Sequence, residues 1–336
     1  MNYKLPSIIL GIVIVLGAIL AVTLMIVSDD QPLQKMGEDP GRAIRIGDLP
    51  VVHGLPLYVA LEKGYFEQEG LQVERVRFDA PNQIIDALLQ DKIDLGSPSL
   101  ALGITGIANS KNPGKLKIYA VSGGSDANPN ENLLVPLDST INSIEDLKGK
   151  KLGILGGTIQ WRTITRELLA QHGLGMDKDV IIVELAPALQ VQALASKQID
   201  ALLALEPMST VAQKKGAGKV IVEAPVEKVI ANPFYGGAGV ITTKFVHDYP
   251  KTAEKVIRVF EKAMQEINEN PSAHKQYLEG YTPLSEEIIP NVPIVDFKSC
   301  KDLTAKDLGE IQKFYDIFTK YNVVDKTIDI STFLYC

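Results

Sequence analysis

Apolar and polar positions along the chain fall into two regimes. In residues 8–27 only Gly11, Gly17 and Thr23 are neither strongly apolar nor Ala, and no charge lies between Lys4 and Asp29. At about 1.5 Å per residue such a run spans the roughly 30 Å hydrocarbon core of a bilayer. The pattern predicts a membrane anchor over residues 1–28 and a polar, Pro- and Gly-containing linker over 29–42. Met25-Ile26-Val27-Ser28 offers no small-x-small cleavage site, so the anchor is expected to stay uncleaved. Lys4 on one flank and Asp29-Asp30 on the other place the N-terminus in the cytoplasm and the remaining chain outside.

Beyond the linker, short apolar runs alternate with amphipathic stretches. Strands are predicted at 43–47, 71–78, 93–96 and 115–121, with helices at 55–63 and 82–90 between them. Strands at 151–155, 180–185, 199–203 and 220–223 continue the alternation, and helices are predicted at 249–269, 272–281 and 305–320. Strand and helix in alternation imply an α/β fold with mainly parallel sheets. An internal echo sharpens the picture. Residues 87–94 and 193–200 share the frame A-L-x-x-x-x-I-D, each after a Gly-Leu, a strand and a helix. The repeated order predicts two lobes of similar topology, with residues 43–122 and 236–336 in lobe 1 and 123–235 in lobe 2. Gly123-Gly124 to Pro129, and Ala231 to Gly237, supply the Gly and Pro that crossings between lobes need.

Composition then removes whole classes of function. The 336 residues carry 34 Lys and Arg against 41 Asp and Glu, a net charge of -7, which argues against a nucleic-acid partner. Two cysteines, Cys300 and Cys336, cannot form a zinc module, and the four histidines are scattered without metal spacing, so no metal and no cofactor is expected. In an oxidising compartment Cys300 and Cys336 are expected to pair with each other, with two free thiols as the alternative.

Several segments carry a family resemblance. Ile44-Arg45-Ile46-Gly47, then residues 57–66 (LYVALEKGYF) and 69–73 (EGLQV), resemble the opening of the nitrate, sulfonate and taurine group of ABC-transporter solute-binding proteins. Residues 143–153 (SIEDLKGKKLG) resemble the start of that group's second lobe, and Ile199-Asp200-Ala201 to Glu206-Pro207 its later part. The resemblance implies the two-lobed periplasmic-binding-protein fold of type II, preceded here by the anchor. It implies a small solute captured outside the cell, a sulfonate-, nitrate- or taurine-like anion being favoured. The partners implied are an ABC permease and its ATPase, with the membrane reached through residues 8–27. Binders of thiamine-pyrimidine precursors or flavins belong to the same circle and stay open as alternatives. So do an enzyme on this fold, of the pyrimidine-precursor synthase or chorismate dehydratase type, and a sensory ligand-binding module.

In parallel α/β sheets the ligand crevice lies beyond the carboxyl ends of the strands, where helix N-termini present unpaired N–H groups. Ser97-Pro98-Ser99, after the predicted strand 93–96, reads as one such helix start, with Ser97 capping. Gly156, Gly157 and Thr158 read as the equivalent start in lobe 2, opening a helix that holds Trp161 and Arg162. His53 in the first loop, Glu206 after the strand 199–203 and Tyr235 in the second crossing complete the expected solute contacts. Each has a plainer alternative: capping for the serines, a tight turn for the glycines, packing for Trp161 and Tyr235, a solvated charge for Arg162.

Overall fold

The computed structural model describes residues 39–336. The predicted anchor, residues 8–27, and the linker up to residue 38 lie outside the described residues. Among the described residues no helix is long and apolar enough to cross a membrane.

Two sheets form two lobes. The first has the order β2-β1-β3-β10-β4-β11 and the second β7-β6-β8-β5-β9. In lobe 1, β1 (Ile44–Asp48) lies parallel to β2 (Val73–Arg77) and β3 (Leu95–Ala101), while β10 (Phe234–Thr242) runs antiparallel to β3 and β4 (Leu116–Gly124). In lobe 2, β6 (Lys151–Leu155) lies parallel to β7 (Ile181–Leu185) and β8 (Ala201–Leu205), and β5 (Glu131–Val135) runs antiparallel to β8 and β9 (Lys219–Glu223). Apart from the additional antiparallel edge strand of lobe 1, Asp296–Ser299, the orders match strand for strand, with β5 and β10 as the equivalent strands that reverse direction.

The echo in the sequence is an echo of structure. Ile93 reaches Gly47 of β1, where an added Cβ would come within 2.5 Å of its Cδ1, and Ile199 reaches Gly153 of β6 at the same 2.5 Å. The backbone N–H groups of Asp94 and Asp200 donate to the carbonyls of Arg45 and Lys151, each at 2.9 Å. Their carboxylates in turn accept the N–H groups of Arg45 and Lys151, at 2.9 and 2.7 Å. Each Ile-Asp pair thus seals one strand start and fills the space above one glycine. A left-handed residue ends the helix before each pair, Asp91 at φ 55° and Lys197 at φ 57°.

Sequence and structure differ where the pattern was short or interrupted. β5, with only the run Leu133-Leu134-Val135 as signal, and the four-residue β11 (Asp296–Ser299) were not predicted. The helix expected over 272–281 is a single turn, Pro271–His274, followed by a 3-10 turn, Lys275–Leu278. β3 runs three residues past Pro98, whose ring sits where β10 shifts register between Ala238 and Val240 and asks for no ladder donor. β11 adds an edge strand beside β4, and the tail returns to the same strand, the N–H of Tyr335 donating to the carbonyl of Ile118 at 2.8 Å. Cys300 and Cys336 are disulfide-bonded there, with Cα atoms 5.1 Å apart.

Candidate functional site

The carboxyl ends of β1 and β3 build one wall of the site around Asp48. This fully buried side chain accepts hydrogen bonds from Ser97 Oγ at 2.9 Å, Tyr58 Oη at 3.0 Å, and Arg75 Nε and Nη2 at 3.0 and 2.7 Å. Burial pushes the Asp48 carboxyl above its ordinary value, against the pull of Arg75, Ser97 and Tyr58. Ser97 and Ser99 do not start a helix. They lie inside β3, the helix begins at Leu102, and the serine hydroxyls pair at 2.7 Å, with Ser99 Oγ also accepting the N–H of Leu49 at 3.0 Å. Pro98 misled the sequence reading, because a proline suits a first helical turn and a register shift equally well.

His53 sits beside these residues and is buried. Ser122 Oγ donates to the carbonyl of Pro98 at 2.8 Å, so it accepts from His53 Nδ1, also at 2.8 Å. Nε2 is then the acceptor facing Asn130 Nδ2 at 3.4 Å. Burial lowers the imidazole to about 4, which leaves it neutral at pH 7.

The facing wall comes from lobe 2. Gly157 has φ +77°, a conformation that favours glycine, and Gly156 lies so close to β7 that a Cβ would stand 3.1 Å from Leu185 N. Thr158 caps the helix Ile159–Gln171 by accepting the N–H of Trp161 at 3.3 Å. Gly157 N donates to Glu184 Oε2 at 3.2 Å, and the Ile159 and Gln160 amides remain as first-turn donors. Trp161 is 4% exposed within the hydrophobic core, so it packs instead of presenting a stacking face. Arg162 is a surface charge, paired with Glu184 and Asp177 at 2.8 Å each.

Gln160, which the sequence reading passed over, spans the two walls. Its Oε1 accepts the N–H of Gly103, in the helix Leu102–Lys111 of lobe 1, at 2.8 Å, and its Nε2 donates to the carbonyl of Gly236 at 3.3 Å. Glu206 is 3% exposed at the end of β8 and accepts from the N–H of Thr210 at 3.0 Å and, more loosely, from Asn132 Nδ2 at 3.5 Å. Burial raises its carboxyl against those bonds. Tyr235 is buried with its hydroxyl committed to Asp307 Oδ1 at 2.7 Å, which makes it an anchor for the helix Ala305–Lys320 and leaves no free hydroxyl for a solute.

His53 therefore lies beyond the end of β1 in lobe 1, and Gly156, Gly157, Thr158 and Glu206 lie beyond the ends of β6 and β8 in lobe 2, while Trp161, Arg162 and the Tyr235 hydroxyl are occupied elsewhere. Asp48, Asn130 and Gln160 were missed. The polar run Asn130-Glu131-Asn132 directly before Leu133-Leu134-Val135 was the available signal for one of them. Chemically, the arrangement offers backbone donors on one side, buried carboxyl and amide groups on the other, and arginines already neutralised by Asp48, Glu184 and Asp177. Among the described residues no group of three or more His, Cys, Asp or Glu could hold a metal ion.

Residues 52–274 match the NMT1/THI5-like family. The chain belongs to that family. A Bacillus subtilis relative named as an aliphatic sulfonates-binding protein is 24% identical over 280 residues, covering 82% of this chain and 81% of the relative. The 4-amino-5-hydroxymethyl-2-methylpyrimidine phosphate synthase of Schizosaccharomyces pombe is 21% identical, covering 80% of this chain and 76% of the enzyme. Among solved structures, the periplasmic aliphatic sulphonate binding protein of Escherichia coli superposes with a TM-score of 0.70 at 22% identity, covering 88% of this chain and 92% of that one. This likeness confirms the two-lobed α/β architecture.

Proposed function

We propose that the protein is the extracytoplasmic substrate-binding component of an ABC importer. It captures a small sulfonate-, nitrate- or taurine-like solute between its lobes and delivers it to a permease and its ATPase, held to the membrane through residues 8–27. The observation that carries this reading is that Gln160, in the capped first turn of a lobe 2 helix, accepts the N–H of Gly103 of lobe 1, so that a helix start and the buried polar group around Asp48 and His53 come from different lobes. Backbone donors at a helix start suit the anionic end of a solute. The buried Glu206 carboxylate suits an ammonium or hydroxyl at the other end, which points to a taurine-like zwitterion within the class.

A reading as an enzyme finds less support. Among the described residues the Ser–His pair in the cleft walls is Ser122–His53, and there the serine hydroxyl already donates to the carbonyl of Pro98. An activated nucleophile needs that proton to face the base. The test is a thermal-shift panel on the full chain with taurine, ethanesulfonate, nitrate, a hydroxymethylpyrimidine and riboflavin, each mixture also assayed for product. A solute that binds only the folded state raises its apparent stability. A shift with a sulfonate and no product supports the reading; product without a saturable shift contradicts it.

A further inference from the structure

One end of the lobe 1 sheet is a basic face. β1 and β3 are parallel and β10 runs antiparallel to β3 and β4, so the starts of β1, β3 and β4 and the end of β10 share that end, opposite the strand ends that carry Asp48 and Ser97. Backbone bonds stitch the flanking segments together. The N–H of Asp94 donates to the carbonyl of Arg45 at 2.9 Å, that of Thr242 to the carbonyl of Asp94 at 3.1 Å, and that of Thr243 to the carbonyl of Lys115 at 2.9 Å. Residues 41–45, 90–94, 111–117 and 243–248 together hold seven Lys or Arg against three Asp, in a chain whose net charge is -7.

Few of these cations are neutralised. Arg42 and Arg45 share the single carboxylate of Asp94, and Lys244 pairs with Asp248. Lys92, Lys111 and Lys115 are exposed and form no ion pair among the described residues. Every residue of 111–115 (KNPGK) is exposed, so this turn holds two lysines out from the face.

The chain enters at the same face. Arg42 donates from Nη1 and Nη2 to the two oxygens of Asp94, each at 2.7 Å, which ties the segment that begins at Asp39 to the start of β3. Residues 28–38 join that point to the apolar run 8–27, and eleven residues reach at most about 40 Å. So short a tether keeps the face at high effective concentration beside the bilayer. Lys and Arg near an anionic lipid surface are drawn to it, and the attraction fades within about 8 Å, so acids on the far side of the body do not oppose it.

We propose that this face rests on the anionic headgroups of the bilayer that holds the anchor, so that the body stands on the end of lobe 1. The proposal rests on the membrane attachment in the proposed function and adds the surface that orients the body there. The corresponding end of lobe 2 also carries exposed lysines, among them Lys150 and Lys178, but the chain enters at lobe 1, which makes lobe 2 the control.

The test reconstitutes the full chain in phosphatidylcholine vesicles, with or without about one-third phosphatidylglycerol, and places a quencher on the lipid headgroups. A fluorophore is attached through Pro113→Cys in lobe 1 or Lys178→Cys in lobe 2, both exposed positions; Cys300 and Cys336 are disulfide-bonded and take no label. With phosphatidylglycerol the Pro113→Cys label should be quenched at least about twofold more, and the excess should vanish in about 0.5 M salt. It should also vanish in the triple variant Lys92→Glu, Lys111→Glu, Lys115→Glu, while the lobe 2 label stays unquenched in both lipids. A vesicle-bound chain whose Pro113→Cys label ignores lipid charge, equal quenching of the two labels, or an undiminished excess in the triple variant overturns this proposal and leaves the importer reading standing. A chain that fails to float with either vesicle contradicts the anchor and this proposal together.

Discussion

At His53, burial takes the imidazole out of water and its charge with it. The folded value of about 4 lies below the ordinary histidine value near 6.5. A lowered value means that the neutral form is the one folding favours. Its contribution is complete above about pH 6.5 and is lost as pH falls toward 4. Nitrogen-resolved NMR of His53 should therefore show one neutral tautomer, protonated at Nδ1, from pH 5 to 8; an imidazolium signal forming near 6.5 would contradict the assignment. In the proposed function Glu206 carries the solute preference. In Glu206→Gln the preference for taurine over ethanesulfonate should fall by about tenfold, the effect of losing roughly 1.4 kcal/mol, with ethanesulfonate itself little affected in a paired calorimetric titration. The placement of Gly156, Gly157, Thr158 and Glu206 just past strand ends was legible, because a short apolar run followed by glycine, threonine or proline marks where a strand stops. Asp48 and Gln160 were not, because a lone acid or amide has no local pattern and gains its role from partners 10 to 76 residues away.

Elements were read best where a periodic run was long. The A-L-x-x-x-x-I-D frame was read as a repeat before its work was visible: an αL turn, an isoleucine over a glycine and an aspartate sealing a strand. Asp94 shows what that seal contributes. Burial alone would raise its carboxyl, but the hydrogen bonds from Arg42 and Arg45 outweigh burial and hold it below the ordinary value. Its contribution is present above the unfolded value near 3.9 and is lost as pH falls through the lower folded value. Both arginines are partly exposed, so screening trims the gain. Asp94→Asn is expected to lose on the order of 1–2 kcal/mol at neutral pH, measured by urea unfolding, with the gap to wild type closing toward pH 2. An equal gap at pH 2 and pH 7 would contradict the account. β5 escaped because a short buried strand shows no alternation, β11 because four residues are too few to show a period, and the continuation of β3 because Pro98 carried the opposite signal.

For the whole molecule, two sheets of matching order and two crossings place a cleft between lobes, and a disulfide fixes the tail to the outer edge of lobe 1. Cys300 and Cys336 are 36 residues apart, and a loop of that size closed by a disulfide stabilises by about 3–4 kcal/mol in the chain-entropy account. Reduction, or Cys336→Ser, should lower the melting temperature by several degrees while leaving solute affinity nearly unchanged, as a thermal melt and a titration on the same sample would show. Net acidity, which removed nucleic acid as a partner, does not choose the solute, because a helix start acts at short range and distant charges are screened within about 8 Å. The central claim is that one small solute is held between the lobes without being transformed. Isothermal calorimetry of the full chain with taurine, followed by NMR of the recovered solute, tests it most directly. The prediction is a saturable isotherm with one solute per chain and taurine recovered intact; heat that never saturates, with a new compound in the spectrum, would contradict it.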